Sequence, residues 1–388
     1  MSQSSTHPLV SVVIPHYGGT DILGECLTSL NKCSYPNLEI IVVDNASPDG
    51  SVQFIKTNFP GINLIQSEYN RGFAGGCNFG AQHTAGEYLL ILNNDTTHEP
   101  DWIDCLVKMM ESNPKISSVQ PKIKNYDNRD YFDYAGACGG FMDKYCFPFA
   151  RGRIFSTVEK DEGQYDESIQ IFWASGTAFL TRKNVFDKVG GFDEILFAHM
   201  EEIDYHWKSQ MLGNEIWVEP ASVIYHKGAV TLPVSSPKKT YLNYRNSLIL
   251  LLTNYPQLTT IRLIFPRLFL EFISLLKEIL TFKWSHALAI IRSWIWINFH
   301  PGVIVKRRKQ IESFGSLNLI FNHSIVKKYF IDGKIKFTEF EACIPSVYSI
   351  SHGTYRDLFS MAASDRTKFY SGSHLGARKV DGGDKTRR

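Results

Sequence analysis

The chain has 388 residues, of which 44% are hydrophobic and 21% charged, and a formal net charge of +2. That length accommodates about two or three ordinary domains, and the hydrophobic fraction fills a globular core. The near-neutral balance argues against a dedicated nucleic-acid binder, and seven scattered cysteines without a CxxC pair argue against a zinc site and for reduced thiols in a cytosolic setting.

Residues 1–8 are polar and lack an apolar signal core, so disorder is expected there. No run of 18 uncharged apolar residues occurs, so no spanning helix is expected, and no solenoid-like repeat is found. Residues 10–14 are a β-branched run broken by Pro15-His-Tyr-Gly-Gly19, a strand entering a loop. Thr20 or Asp21 caps a helix to about residue 30, with Ile22, Leu23, Cys26, Leu27 and Leu30 on one face. Residues 39–44 form a second buried strand that ends in Asp44. A helix from Ser51 and a strand at 62–65 follow. The βαβαβ order predicts a right-handed, doubly wound parallel sheet.

Asn70-Arg-Gly-Phe-Ala-Gly-Gly-Cys-Asn78 opens a helix with a glycine-rich turn. Such a turn either brings backbone amides to a phosphate or packs a helix tightly on a strand. It has neither the GxGxxG spacing of a dinucleotide site nor the lysine of a P-loop. Next, Leu89-Leu-Ile-Leu92 runs straight into Asn93, Asn94 and Asp95. This pattern reads as a buried central strand with polar residues at its carboxyl end, where open α/β sheets bind ligands. Asp95 offers a hard oxygen ligand for Mg²⁺ or Mn²⁺ carried with a phosphate; an Asx turn is the alternative.

A helix is expected from 99 to about 111. From 117 to 170 the pattern weakens into short antiparallel strands and loops, an expected acceptor side. Residues 171–180 read as a strand pair bent at Gly176, and 182–189 as a helix ended by Gly190-Gly191. The acidic stretch Glu201-Glu-Ile-Asp204 follows. Residues 215–218 and 222–225 read as two strands, with His226 at a strand end. A helix over 236–253 carries Tyr244-Arg-Asn246. Between 261 and 310 nine Lys or Arg face two Glu, interleaved with Leu, Ile, Phe and Trp. Trp284, Trp294 and Trp296 with the basic cluster Lys306-Arg-Arg-Lys309 fit helices lying on an anionic inner-membrane surface. Packing of those helices on the core is the alternative. The tail from 365 has a disordered composition.

In this order the pieces resemble glycosyltransferase family 2. They are Val10-Ser-Val-Val-Ile-Pro15, Val43-Asp-Asn-Ala-Ser47, the Asn70–Asn78 loop, Leu92-Asn-Asn-Asp-Thr96, Ala174-Ser-Gly-Thr-Ala178, Gly191-Phe-Asp193, Glu201-Glu-Ile-Asp204 and Tyr241-Leu-Asn-Tyr-Arg-Asn246. The rhamnosyltransferase-like branch, which builds O-antigen, capsule and other cell-surface polysaccharides, is the one they look most like. The resemblance implies an α/β GT-A fold: a mostly parallel, doubly wound sheet with a Rossmann-like donor half (9–115), an acceptor and catalytic half (116–255), and an amphipathic helical region (256–364) before a disordered tail (365–388). It implies an inverting transferase with a nucleotide-diphosphate sugar donor, a lipid-linked or oligosaccharide acceptor, a divalent metal, and a peripheral place on the cytoplasmic membrane face.

Site roles are carried over by the same resemblance. Asp95 is the carboxylate of the DxD-type motif and His226 the later histidine ligand, together holding Mg²⁺ or Mn²⁺. Asn93 stands where the first Asp of that motif falls, which thins the ligand set and leaves the metal weakly held or carried in by the donor. Glu202 falls at the catalytic base, one methylene longer than the usual Asp. Glu201 is a reserve candidate, and Asp204 reads better as a structural acid. Pro15, His16, Tyr17 and Asp44 line the nucleotide pocket, Arg71 and Asn78 flank the donor loop, and Arg245 reaches for the diphosphate or forms a surface salt bridge. Trp173 reads as a core residue before a sugar platform. The resemblance favours rhamnose from a dTDP donor. Alternatives are a UDP-hexose or UDP-galactofuranose donor, a sugar-nucleotide-binding assembly partner without catalysis, and a nucleotidyltransferase.

Overall fold

The structure, a computed structural model, describes residues 7–228, 236–315 and 320–344. The segments 1–6 and 365–388, where disorder is expected, lie outside them.

The first half alternates as its hydrophobic pattern dictates. β1 (Val10–His16), α1 (Thr20–Leu30), β2 (Leu38–Asp44), α2 (Ser51–Asn58), β3 (Asn63–Gln66), α3 (Gly72–Ala81) and β4 (Tyr88–Leu92) follow one another. β1 pairs in parallel with β2 and β4, and β2 with β3. Helix α1 buries Leu23, Cys26, Leu27 and Leu30 of the stripe expected from the sequence, and Ile22 is half-buried. All five residues of β4 are buried, as a strand inside a covered sheet requires.

β5 (Thr96–His98), α4 (Trp102–Ser112) and β6 (Ile116–Asn125) come next. A separate antiparallel sheet follows: β7 (Gly140–Met142), β8 (Pro148–Ala150), β9 (Arg153–Ile154) and β10 (Thr157–Val158). β11 (Ile169–Gln170), β12 (Ala178–Arg182), α5 (Lys183–Val189), α6 (Glu201–Met211) and β13 (Glu215–His226) complete the main sheet, whose order is β11-β13-β6-β12-β4-β1-β2-β3. β12 runs antiparallel to both β4 and β6, while β13 is parallel to β6. Strands β1 to β4, β6 and β13 therefore all end at one edge, and β12 begins there.

Two expectations change. The weakly patterned stretch holds a ten-residue main-sheet strand, β6, as well as short antiparallel strands. Its polar residues are buried and paired internally, which hides the strand's period: Ser117 Oγ meets Ser209 Oγ at 3.0 Å, and Ser118 Oγ donates to Thr181 Oγ1 at 2.9 Å. The two strands expected between 215 and 225 are one, β13, with its register shifted between Glu219 and Val223.

Helices α7 (Pro237–Asn254), α8 (Gln257–Leu280), α9 (Trp284–Phe299), α10 (Pro301–Glu312) and α11 (Ile325–Phe330) follow. Leu275, Ala287 and Ile290 form a small core with Tyr244, Ile279 and Trp294. Trp294, expected as a membrane anchor, packs there and donates from Nε1 to Glu271 Oε2 at 2.6 Å. The basic cluster is also divided. Arg307 and Arg308 turn inward, Arg308 onto the Tyr255 carbonyl and Thr260 Oγ1 at 3.2 and 3.0 Å. The outer faces stay apolar: Phe265 is 75% exposed on α8 and Phe299 79% on α9. Among the described residues no single helix is long and apolar enough to cross a membrane; α9 with α10, bent by 75°, qualifies as a pair by length and composition.

Candidate active site

Asp95 lies in the turn that leaves β4 for β5. Because β5 pairs with the end of β13, Thr96 stands opposite His226. That register sets His226 Nε2 3.2 Å from Asp95 Oδ1, while Nδ1 lies 2.8 Å from Asp133 Oδ1. All three side chains are buried. Burial alone would lower the imidazole's pKa, but the two carboxylates outweigh it and raise it to about 10. Burial likewise works to raise Asp95, and His226 overrides it, holding the carboxyl below its usual range. Beyond this ion pair Asp95 Oδ1 has no hydrogen-bond partner. Two metal-type donors thus sit side by side, with Asp133 orienting the imidazole from behind. Among the described residues no group of three or more His, Cys, Asp or Glu is arranged around a cation. Asp95 and His226 are the residues here that could hold an ion, with its remaining ligands supplied from outside the protein.

His16 and Asp44 end β1 and β2 side by side. His16 is buried and bridges two turns. Its Nδ1 lies 2.8 Å from Asn94 Nδ2 and its Nε2 2.8 Å from Ser51 Oγ. Burial lowers its pKa despite Asp44 and Asp49, so the ring is neutral. Its role in this fold is to brace the turn that carries Asp95. Asp44 is buried and accepts from the Ser47 amide at 3.3 Å. Pro15 is half-buried and Tyr17 exposed at the same edge.

The glycine-rich turn serves packing. Gly72 has φ +71°, and a Cβ there would meet the Phe197 carbonyl oxygen at 2.5 Å. Amides at the start of α3 are already engaged: Arg71 N donates to Asn45 Oδ1, Gly72 N to Asn70 Oδ1 and Ala74 N to the Phe197 carbonyl. These three amides are taken by the protein's own acceptors, in keeping with the packing reading of the turn. Arg71 donates from Nε to Ser67 Oγ at 2.9 Å and lies 4.7 Å from the ring centres of Tyr69 and Phe79. Asn78 is a latch: its amide donates to the Phe192 carbonyl and accepts from the Phe192 amide, both at 2.9 Å.

The segment before α6 is strained. Phe197, His199 and Met200 have φ of 63°, 69° and 76°, a region that side chains rarely adopt and that clusters at functional sites. Glu201 and Glu202 then open α6. Burial pushes both carboxyls up, Glu202 to about 7. Glu202 Oε2 has no hydrogen-bond partner. A Cβ on Gly176 would lie 3.8 Å from the Glu202 carboxyl carbon, and the adjacent Thr177 carbonyl accepts from the Asn93 amide at 2.9 Å. The start of β12 thus links Glu202 to the Asp95 turn at one sheet edge.

Asp204 is structural. Buried, it pairs with Arg307 at 2.5 Å and Lys208 at 3.0 Å; these cations override the burial that would raise it and hold its carboxyl far below the usual range. Arg245 turns toward the protein backbone. Its guanidinium is committed to the carbonyls of Ile195 and Leu196, at 2.8 and 3.1 Å. Trp173 is a core residue whose Nε1 donates to the Phe141 carbonyl at 2.9 Å. Sequence reasoning missed Asp133, Asn94 and Asn246. Asn94 lies within the polar triplet itself; Asp133 had no local signal.

Comparisons with known proteins bear on the fold and the class of enzyme. Residues 11–190 match Glycosyl transferase family 2. The chain is 26% identical over 241 residues to the N-acetylglucosaminyl-diphospho-decaprenol L-rhamnosyltransferase of Mycobacterium tuberculosis, covering 58% of this chain and 78% of that relative. It is 24% identical to the poly-beta-1,6-N-acetyl-D-glucosamine synthase of Staphylococcus epidermidis, covering 56% of this chain and 49% of that one. Its fold is similar to that of GalNAc-T7 solved with UDP, GalNAc and Mn²⁺, with a TM-score of 0.50 and 19% identity, over 63% of this chain and 48% of that one. The fold and the matched segment define a glycosyltransferase of the GT-A kind. The matched segment, residues 11–190, is similar to family 2 of these enzymes.

Proposed function

We propose that the enzyme moves rhamnose from dTDP-rhamnose to a lipid-linked or oligosaccharide acceptor in cell-surface polysaccharide synthesis. One observation carries the site assignment: an ion-paired Asp95–His226–Asp133 corner and a Glu202 carboxyl that burial raises to about 7 share one sheet edge. Glu202 takes the proton of the acceptor hydroxyl as that oxygen bonds to the anomeric carbon. The bond from that carbon to the diphosphate breaks on the opposite face. The nucleoside diphosphate leaves with the electron pair, and the configuration inverts. Asp95 and His226 would hold Mg²⁺ or Mn²⁺, which offsets charge on the departing diphosphate. Pro15, Tyr17 and Asp44 border the nucleotide's place.

Rhamnose and a lipid diphosphate acceptor are supported by the named activity of the mycobacterial relative. A cavity of about 770 Å³ beside residues 194–197 adds to this. Lys238 and Arg292 supply cations for a diphosphate there, and Leu242, Leu288 and Phe197 supply apolar surface for a lipid. The apolar outer faces of α8 and α9 support peripheral attachment to the cytoplasmic membrane face.

The test offers dTDP-rhamnose, UDP-hexoses and UDP-galactofuranose with lipid acceptor extracted from membranes, and reads products by mass spectrometry. The expected result is acceptor heavier by one deoxyhexose with dTDP-rhamnose alone. Transfer from a UDP-sugar instead overturns the donor assignment, and donor binding without any transfer overturns catalysis. Phe265→Glu combined with Phe269→Glu should release the protein from anionic vesicles in sedimentation; unchanged retention contradicts the attachment.

A further inference from the structure

We infer that Arg245, Asn246 and Arg307 form a clamp that positions Glu202, an inference that rests on Glu202 being the base. The clamp closes on one stretch of chain, residues 193–204. In its middle, Asn246 Nδ2 faces three carbonyls, those of Leu196 at 2.9 Å, Ala198 at 3.0 Å and His199 at 2.7 Å. Arg245 donates from Nε to Asn246 Oδ1 at 2.9 Å, which fixes the direction in which that amide faces. The same guanidinium holds the Ile195 and Leu196 carbonyls. At the ends, one side chain joins both flanks. Arg307 of α10 reaches Asp193 Oδ2 with Nε at 2.8 Å and Asp204 Oδ1 with Nη2 at 2.5 Å. Its Nη1 is seated on Thr253 Oγ1 at 2.6 Å and Asn254 Oδ1 at 3.0 Å of α7.

What lies between these contacts explains why the clamp matters. Phe197, His199 and Met200 keep left-handed backbone without being glycine, so the turn relaxes unless its surroundings hold it. Glu202 follows directly, and no side chain bonds to its Oε2 to aim it. The groups that face it are Glu201, Cys77 of α3 and the backbone amides of Met200, Glu202 and Ile203. None of these is a cation that would fix a carboxylate. The direction of the Glu202 carboxylate is thus set by its backbone, and the backbone is set by α7 and α10. Arg245, Asn246 and Arg307 are positioning residues, through which α7 and α10 contribute to catalysis without these three side chains meeting the reacting atoms.

The test compares Asn246→Ala, Arg307→Lys and Arg267→Met in the full chain. Arg267 ties α8 to the Tyr145 and Cys146 carbonyls and serves as the structural control. For each variant kcat, the donor KM, Tm and the pH dependence of kcat are measured. Asn246→Ala should lose about 100-fold in kcat, with the donor KM within about twofold, as expected when a catalytic group is misplaced by about an ångström. Its acid limb should move to lower pH as the relaxed turn admits water to Glu202. Arg307→Lys, which keeps the charge, should lose only about tenfold. Arg267→Met should lower Tm and leave the limb in place. Wild-type kcat and an unmoved limb in both Asn246→Ala and Arg307→Lys would overturn the clamp, as would losses that only track Tm. Full activity in Glu202→Gln would instead overturn the base assignment on which it rests.

Discussion

The two acidic corners of the sheet edge are built in opposite ways. In one, Asp95 and Asp133 face the imidazole of His226 from its two nitrogens, so buried charge is balanced by charge. In the other, Glu201 and Glu202 are buried without a cation, and burial pushes both toward their neutral form. Environments that drive like groups apart divide the labour of a reaction. The charged corner suits a metal and a diphosphate. The uncompensated corner suits a proton that must be taken up near neutral pH.

The largest effect that sharpens the contrast is expected from Glu202→Gln. Removing a general base costs about 10²–10⁴-fold in rate, while calorimetry should show donor binding intact; a variant as active as wild type breaks the assignment. Asp95→Asn should come next, losing about 10²-fold together with its response to added Mn²⁺, because the loss falls on charge developing in the transition state. An unaltered metal titration would count against the corner. Asp133→Asn removes only the imidazole's support and should cost about 10–100-fold in metal affinity or activity. The smallest effect is on stability. A carboxyl whose folded pKa is raised favours the fold at low pH, and that contribution is lost as pH climbs from its ordinary 4.5 to about 7. Denaturation at pH 5 and pH 8 should therefore differ less in Glu202→Gln than in wild type, by on the order of 1–2 kcal/mol. An equal difference in the two proteins would contradict the burial of this group.

How legible all this is in the chain depends on distance along it. The strands β1 to β4 follow from runs of apolar residues, since each meets its neighbours within one βαβ unit. β6 was hidden because its serines and Gln120 find partners far along the chain, such as Thr181. Asp95 could be singled out by residue type and strand end. Its contact with His226, and Asp133 behind it, exist only through the pairing of β5 with β13. Arg245 was placed in a motif, but a motif gives a residue type and not a direction, and the side chain points to backbone carbonyls. Arg307 looked like part of a membrane-facing basic run. A partner 114 positions away, Asp193, draws it inward.

The central claim is that a carboxyl raised by burial accepts the acceptor's proton. The direct measurement is kcat against pH from 5 to 9 at saturating donor and acceptor. Because the active form is the ionised carboxylate, kcat should be level above about 7 and fall tenfold per pH unit below it. A profile that stays level down to pH 5 would contradict the account, since the base would then be a group with an ordinary carboxylate pKa.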